Sequence, residues 1–174
     1  MLRFTTITLL IASLFFTCAQ KPTEKGIRWM TLGEVETVWN ANPRPVLIDL
    51  YTDWCGWCKV MDKRTYANGK VAAYLQDKFY PIKLNAETRD AVKWMGKEYA
   101  FNKGYNTNEI ALYLTRGQLS YPTTVIIPAP GEEPQAIPGF LNPSEIEPIL
   151  KYFGEGAYKT MAFPDYHKKF KGAW

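Results

Sequence analysis

Val46-Leu47-Ile48-Asp49-Leu50-Tyr51 is an apolar run broken by a single carboxylate, and Trp54-Cys55-Gly56-Trp57-Cys58 follows almost at once. An apolar run of this length, bounded by Pro45 on one side and polar residues on the other, reads as a buried strand. Two thiols separated by two residues, placed where such a strand ends and a helix begins, point to dithiol redox chemistry. The first turn of a helix exposes unpaired N–H groups and the positive end of its dipole, so a thiol there loses its proton more easily. A second thiol one turn along can close a disulfide with the first. This junction limits the chain to folds that carry a strand directly into a helix at a sheet edge.

The rest of the chain supplies the partners for such a strand. Ile27–Met30 is a short strand candidate, and Thr31-Leu32-Gly33-Glu34 fits a capping box opening a helix with Val35, Val38 and Trp39 on one side. Helical spacing continues after Cys55 through Val60, Met61 and Tyr66, breaks near Asn68-Gly69, and resumes with Val71, Tyr74, Leu75 and Phe79. Residues 80–85 form the next strand. Residues 86–107 are polar and aromatic, after which Asn108 caps a short helix ending near Gly117. Thr123–Ile127 is strongly strand-forming, and a turn at Pro130-Gly131 returns Gln135-Ala136-Ile137 as its hairpin partner. Asn142-Pro143-Ser144-Glu145 opens a helix running to about Phe153. Alternating strands and helices demand parallel pairing, whereas the tight turn demands an antiparallel pair, so the expected class is α/β with a mixed central sheet flanked by helices.

The N-terminus has a different character. Arg3 is the only charge before an apolar run from Ile7 to Phe16, too short to span a bilayer and shaped like the core of a secretory signal. Residues 1–19 are therefore read as a signal peptide and 20–26 as a linker, making the product periplasmic or otherwise exported. Cleavage after Ala19 discards Cys18; alternatively Cys18 is the lipid-bearing residue of a lipoprotein. The net charge of +4 is spread without a dense Lys/Arg stripe, which gives a nucleic-acid role no support.

The motif order resembles the thioredoxin superfamily over residues 27–153, near its exported bacterial branch and the C-terminal domain of the membrane disulfide reductase. The resemblance rests on 46–59 as the strand-to-active-site segment, Lys83-Leu84-Asn85 as the next strand, Tyr121-Pro122-Thr123 as a cis-proline turn and Pro138-Gly139-Phe140 after the last strand. It implies a thioredoxin-like fold with a helical insertion at 86–107, before the cis-Pro turn, and a C-terminal extension at 154–174. Thioredoxin itself carries Pro where Trp57 stands. The implied partners are disulfide-containing exported proteins and an upstream thiol electron donor. No organic cofactor, metal or nucleic acid is implied, and a membrane enters only through a lipidated Cys18.

Roles follow for individual residues. Cys55, at the helix start and expected to be the more exposed thiol, is the attacking thiolate; Cys58 resolves. The alternatives are a structural disulfide or part of a zinc site. Zinc normally needs four ligands, and beyond this pair the chain offers only Cys18 and the distant His167. A bridge closing so short a loop adds little stability. Asp49 is costly in an apolar strand unless it has a task. By the resemblance it lies beneath the Cys pair and takes the proton of Cys58 through water, with burial raising its pKa toward that of a general base. Lys83 either flanks and tunes Asp49 or sits on the surface. Trp54, Gly56, Trp57, Tyr121 and Pro122 make up the substrate side, with Trp54 packing as support, Trp57 exposed to partners, and the cis-Pro turn offering backbone groups to an extended substrate. Trp94, Tyr99, Phe101 and Tyr105 either form a partner-binding wall beside Cys55 or are buried within a helical hairpin. The favoured activity is reduction of disulfides in exported proteins. Oxidation or isomerisation, and a partner-binding module with an inert disulfide, are the alternatives.

Overall fold

The computed structural model describes residues 26–174; the expected signal peptide, Cys18 and nearly all of the linker lie outside them. Helix α1 (Leu32–Trp39) is opened by Thr31, whose hydroxyl accepts the Glu34 N–H while the Glu34 carboxylate accepts the Thr31 N–H. Strand β1 (Val46–Tyr51) leads into α2 (Gly56–Met61), a π-turn (Asp62–Tyr66) and α3 (Gly69–Lys78), the last capped by Asn68. Strand β2 (Tyr80–Asn85) lies parallel to β1. After the insertion come α4 (Glu109–Thr115), β7 (Thr123–Ile127), β8 (Gln135–Pro138) and α5 (Pro143–Gly154). The central sheet has the order β2-β1-β7-β8, parallel at β1/β2 and antiparallel at the other two junctions. The expected strand at 27–30 contracts to one bridge between Met30 and Ile82.

Both faces of this sheet are covered, so β1 reads as a nearly continuous apolar run. Val46, Ile48 and Leu50 pack with Ile82 and Val125 against Trp39 of α1 and Ile110 and Leu114 of α4. Leu47 and Ile126 face the other way, onto Met61, Tyr66, Leu75, Ile146 and Leu150 from the helices between β1 and β2 and from α5. Side chains alternate along a strand, so Asp49 shares the Leu47 face, under the segment that begins at the cysteines.

Residues 86–107 depart from expectation: they fold not as a helical insertion but as two hairpins. Strands β3 (Val92–Trp94) and β4 (Lys97–Tyr99) pair across Met95-Gly96, both at positive φ (51° and 75°), the conformation a two-residue hairpin turn requires. Strands β5 (Phe101–Asn102) and β6 (Thr107–Asn108) form the second. Asn102 shapes its turn by accepting the N–H groups of Gly104 and Tyr105. The first hairpin is welded to the body, because Trp94 stacks on Trp39 at 5.5 Å between centroids and is fully buried.

The C-terminal segment packs on α5. Helix α6 (Phe163–Lys169) sets Phe163 and Tyr166 each 5.2 Å from the Tyr152 ring. The wholly buried Glu147 carboxylate accepts the backbone N–H groups of Ala173 and Trp174 and pairs with Lys151 at 2.9 Å.

Candidate active site

Strand β1 ends at Tyr51, the Cys55 N–H donates to Thr52 O at 3.2 Å, and Cys55 becomes the N-cap of α2. Its sulfur accepts the Cys58 N–H at 3.0 Å, and the two cysteines are joined as a disulfide with their Cα atoms 5.3 Å apart. That N–H belongs to the first helical turn, whose unpaired donors favour an acceptor at this position. The expected difference in exposure is absent, since each cysteine is 4% exposed. The bond holds both sulfurs in one small patch, so it is position at the helix start that distinguishes Cys55.

Trp54, Trp57, Tyr121, Pro122 and Phe140 line the end of the sheet at this patch from three chain segments. Thr123 pairs with Leu50, which brings Tyr121 and Pro122 to the sheet end where β1 turns into α2. The Tyr121–Pro122 peptide is cis, and Pro122 O accepts the Gly139 N–H at 2.8 Å. Trp57 is 61% exposed and lies 5.6 Å from the Phe140 ring. Trp54 is not the packed support expected of it: it is 67% exposed, meets Tyr121 edge-on at 5.9 Å, and donates its indole N–H to the Glu87 carboxylate. A Cβ on Gly56 would meet nothing within 4 Å, so the surface beside Cys55 is open there.

On the sheet face that packs against the segment following Cys58, a buried Asp49 meets two partly exposed charges, Lys83 and Asp62. Asp49 is 2% exposed, with its Oδ2 3.2 Å from Lys83 Nζ. Burial raises its pKa to about 6 against the opposing pull of the Lys83 ammonium. Lys83, the residue opposite Asp49 on β2, also donates to Asp62 of the π-turn. Its own pKa is pulled down by burial but raised further by Asp62 and Asp49, so the net direction is upward. Lys83 thus faces Asp49, and its ammonium also stands 5.1 Å from the Tyr51 ring.

Sequence reasoning missed Asp62, Tyr66, Thr124 and Glu87. Asp62 and Tyr66 lie four and eight residues beyond Cys58, a helical spacing that returns to one face and carried the signal. Thr124 is the cross-strand partner of Asp49 on β7. Nothing in the sequence marks Glu87. The aromatic wall is largely overturned: Trp94 and Tyr99 are core residues, Phe101 lies half-buried under Arg89, and only Tyr105 stands out, at 66% exposed. The insertion reaches the site instead through Glu87, which accepts the Trp54 indole N–H and the Asn106 amide, the latter at 3.4 Å. Among the described residues, no group of three or more His, Cys, Asp or Glu side chains converges as metal ligands would, and no helix is long and apolar enough to cross a membrane.

Comparison with known proteins agrees with this geometry. The model of the thioredoxin-like domain matches residues 34–154. The thiol:disulfide interchange protein DsbD of Yersinia enterocolitica is 33% identical over 106 residues, 60% of this chain and 15% of that protein. Its Escherichia coli K12 counterpart is 30% identical over 104 residues, 59% of this chain and again 15% of the relative. The chain therefore corresponds to a small part of these relatives. Among solved structures, a Thermus thermophilus thioredoxin superposes with a TM-score of 0.55 at 20% identity, covering 84% of this chain and 99% of its own. A Helicobacter pylori thioredoxin-fold protein gives 0.56 at 19% identity, covering 74% and 80%. With the family model spanning most of the chain and the sheet, the disulfide and the Tyr121–Pro122 turn arranged as described, this chain belongs to the thioredoxin-like family.

Proposed function

We propose that this chain is a thiol-disulfide oxidoreductase that reduces disulfides in exported proteins. In its dithiol form the Cys55 thiolate attacks one sulfur of a substrate disulfide, forming a mixed disulfide and expelling the other sulfur as a thiolate. Cys58 gives its proton toward Asp49 and attacks the Cys55 sulfur, releasing the second substrate thiolate. Two electrons pass to the substrate, and the Cys55–Cys58 bond forms. An upstream thiol donor returns the pair to the dithiol. The observation that carries this reading is the Cys55–Cys58 disulfide at the start of α2, with the buried Asp49 on the sheet face below it. The resemblance to proteins named thiol:disulfide interchange proteins supports the reaction class. Export is supported by the signal-like residues 1–19.

The test is trapping. Cys58→Ser should accumulate mixed disulfides with partner proteins through Cys55, and Cys55→Ser should not. Normal function with both cysteines replaced would instead indicate a binding module. Direction is read from the reduction potential: a value near about −270 mV supports reduction, and one near roughly −120 to −180 mV marks an oxidant or isomerase.

A further inference from the structure

The two carboxylate oxygens of Asp49 have different surroundings. Oδ2 faces the Lys83 ammonium, whereas Oδ1 is buried with no hydrogen-bond partner. Two more buried oxygens on this sheet face share that condition, the hydroxyls of Tyr66 and Thr124. Thr124 is the residue opposite Asp49 on β7, and the Tyr66 ring, brought in by the π-turn, is wholly enclosed with its hydroxyl beside that of Thr124 and within the electrostatic reach of Asp49. A buried hydroxyl without a partner costs stability, and replacing it by an apolar group of the same shape is neutral or favourable. Two such hydroxyls on the sheet face that carries one unpaired carboxylate oxygen call for a task.

The chemistry of the partners suggests which. An ammonium can only donate, so Oδ2 beside Lys83 is a poor seat for an incoming proton. A hydroxyl both donates and accepts: through one bridging water it can pass a hydrogen bond to Oδ1 while Asp49 is charged and take one from the acid once Asp49 is protonated. We propose that Tyr66 and Thr124 are positioning residues that seat the transferred proton on Asp49 Oδ1 and thereby speed the resolving step of Cys58. This rests on the dithiol reading above. The charged and titratable groups around the cluster are Lys83 from β2, Asp62 and Tyr66 from the π-turn, and Cys58 from α2.

The test follows the reduced protein reacting with 5,5′-dithiobis(2-nitrobenzoate) by stopped flow. The first nitrothiolate released reports attack by Cys55, and the second reports resolution by Cys58. Tyr66→Phe and Thr124→Val keep shape and remove one hydroxyl each. Each should melt no lower than wild type, leave the first phase unchanged, slow the second about tenfold near neutral pH, as loss of one well-placed hydrogen bond would, and displace its pH profile. Asp49→Asn should slow the same phase at least as much. An unchanged second phase and pH profile in both variants would overturn the proposal while leaving the dithiol reading intact. So would equal slowing of both phases or a fall in melting temperature, since either marks a structural role. A wild-type protein that releases no second nitrothiolate would instead defeat the dithiol reading itself.

Discussion

The Trp54 indole N–H is held by both oxygens of the Glu87 carboxylate, at 3.0 and 3.1 Å, across 33 residues of sequence. This bond joins the residue preceding Cys55 to the first residues of the insertion, where Asn106 also reaches Glu87. An exposed ring beside Cys55 is thereby held in one orientation.

Glu87→Ala should free that ring. The bond is exposed, so its worth is well under that of a buried charged pair. We expect KM for a disulfide peptide to rise about threefold with kcat nearly unchanged, an effect the size of one modest hydrogen bond. Steady-state kinetics beside Trp fluorescence anisotropy check this; a fall in kcat at constant KM would contradict a role in substrate reception.

Asp49 makes stability depend on pH. Its folded pKa, raised by burial to about 6, exceeds the unfolded value of about 4. The folded state therefore binds the extra proton between these limits, and stability falls as pH rises through that window. Above it the charged form costs on the order of 2–3 kcal/mol, about two pKa shifts of one unit each. Asp49→Asn removes this cost, and Lys83 keeps Asp62 as its partner. Urea unfolding of the disulfide form should show the variant more stable than wild type at about pH 8 and no different at about pH 4. Equal stabilities at both would mean the carboxylate is solvated.

The insertion separates into a structural and an exposed half. Trp94 is buried and stacked on Trp39, so Trp94→Ala should destabilise by about 3–5 kcal/mol, as for other buried large aromatics. Tyr105 stands in solvent, and Tyr105→Ala should change stability by no more than about 0.5 kcal/mol. Denaturant midpoints for the pair decide whether the first hairpin is part of the core.

These residues also show why sequence reading reached the site better than its surroundings. Asp49 was legible because a lone carboxylate in an apolar run is conspicuous, and Cys55 and Cys58 because two thiols at a strand-to-helix junction have few other uses. The hairpins were not. Val92–Trp94 and Lys97–Tyr99 are three residues each, too short for period-2 alternation to stand out from helical spacing, and one of their turn positions is Met95, not a residue that signals positive φ. Trp54 was misjudged because Glu87, far along the chain, holds it outward; no local pattern encodes a partner at that distance. The π-turn that turns Tyr66 onto the Leu47 face of the sheet likewise follows from packing rather than from residue preference.

The last expectation concerns Glu147 and the segment it holds. Burial alone would raise its pKa, but the N–H groups of Ala173 and Trp174 and the Lys151 ammonium outweigh that and hold it below the usual value. A carboxylate lowered in this way contributes stability that is present above its unfolded pKa, about 4.3, and is lost as pH falls through the lower folded value. Glu147→Ala removes the acceptor at every pH and should cost about 1–3 kcal/mol, the range for stranding partly buried donors. Trp174, now 5.4 Å from the Tyr74 ring, should gain mobility, seen as lower Trp anisotropy, and trypsin at about pH 8 should cleave after Lys169 and Lys171 sooner than in wild type. Wild type should show the same loosening only in acid, below about pH 4. Unchanged cleavage and anisotropy in the variant would mean that the aromatic contacts of α6, rather than Glu147, hold this segment in place.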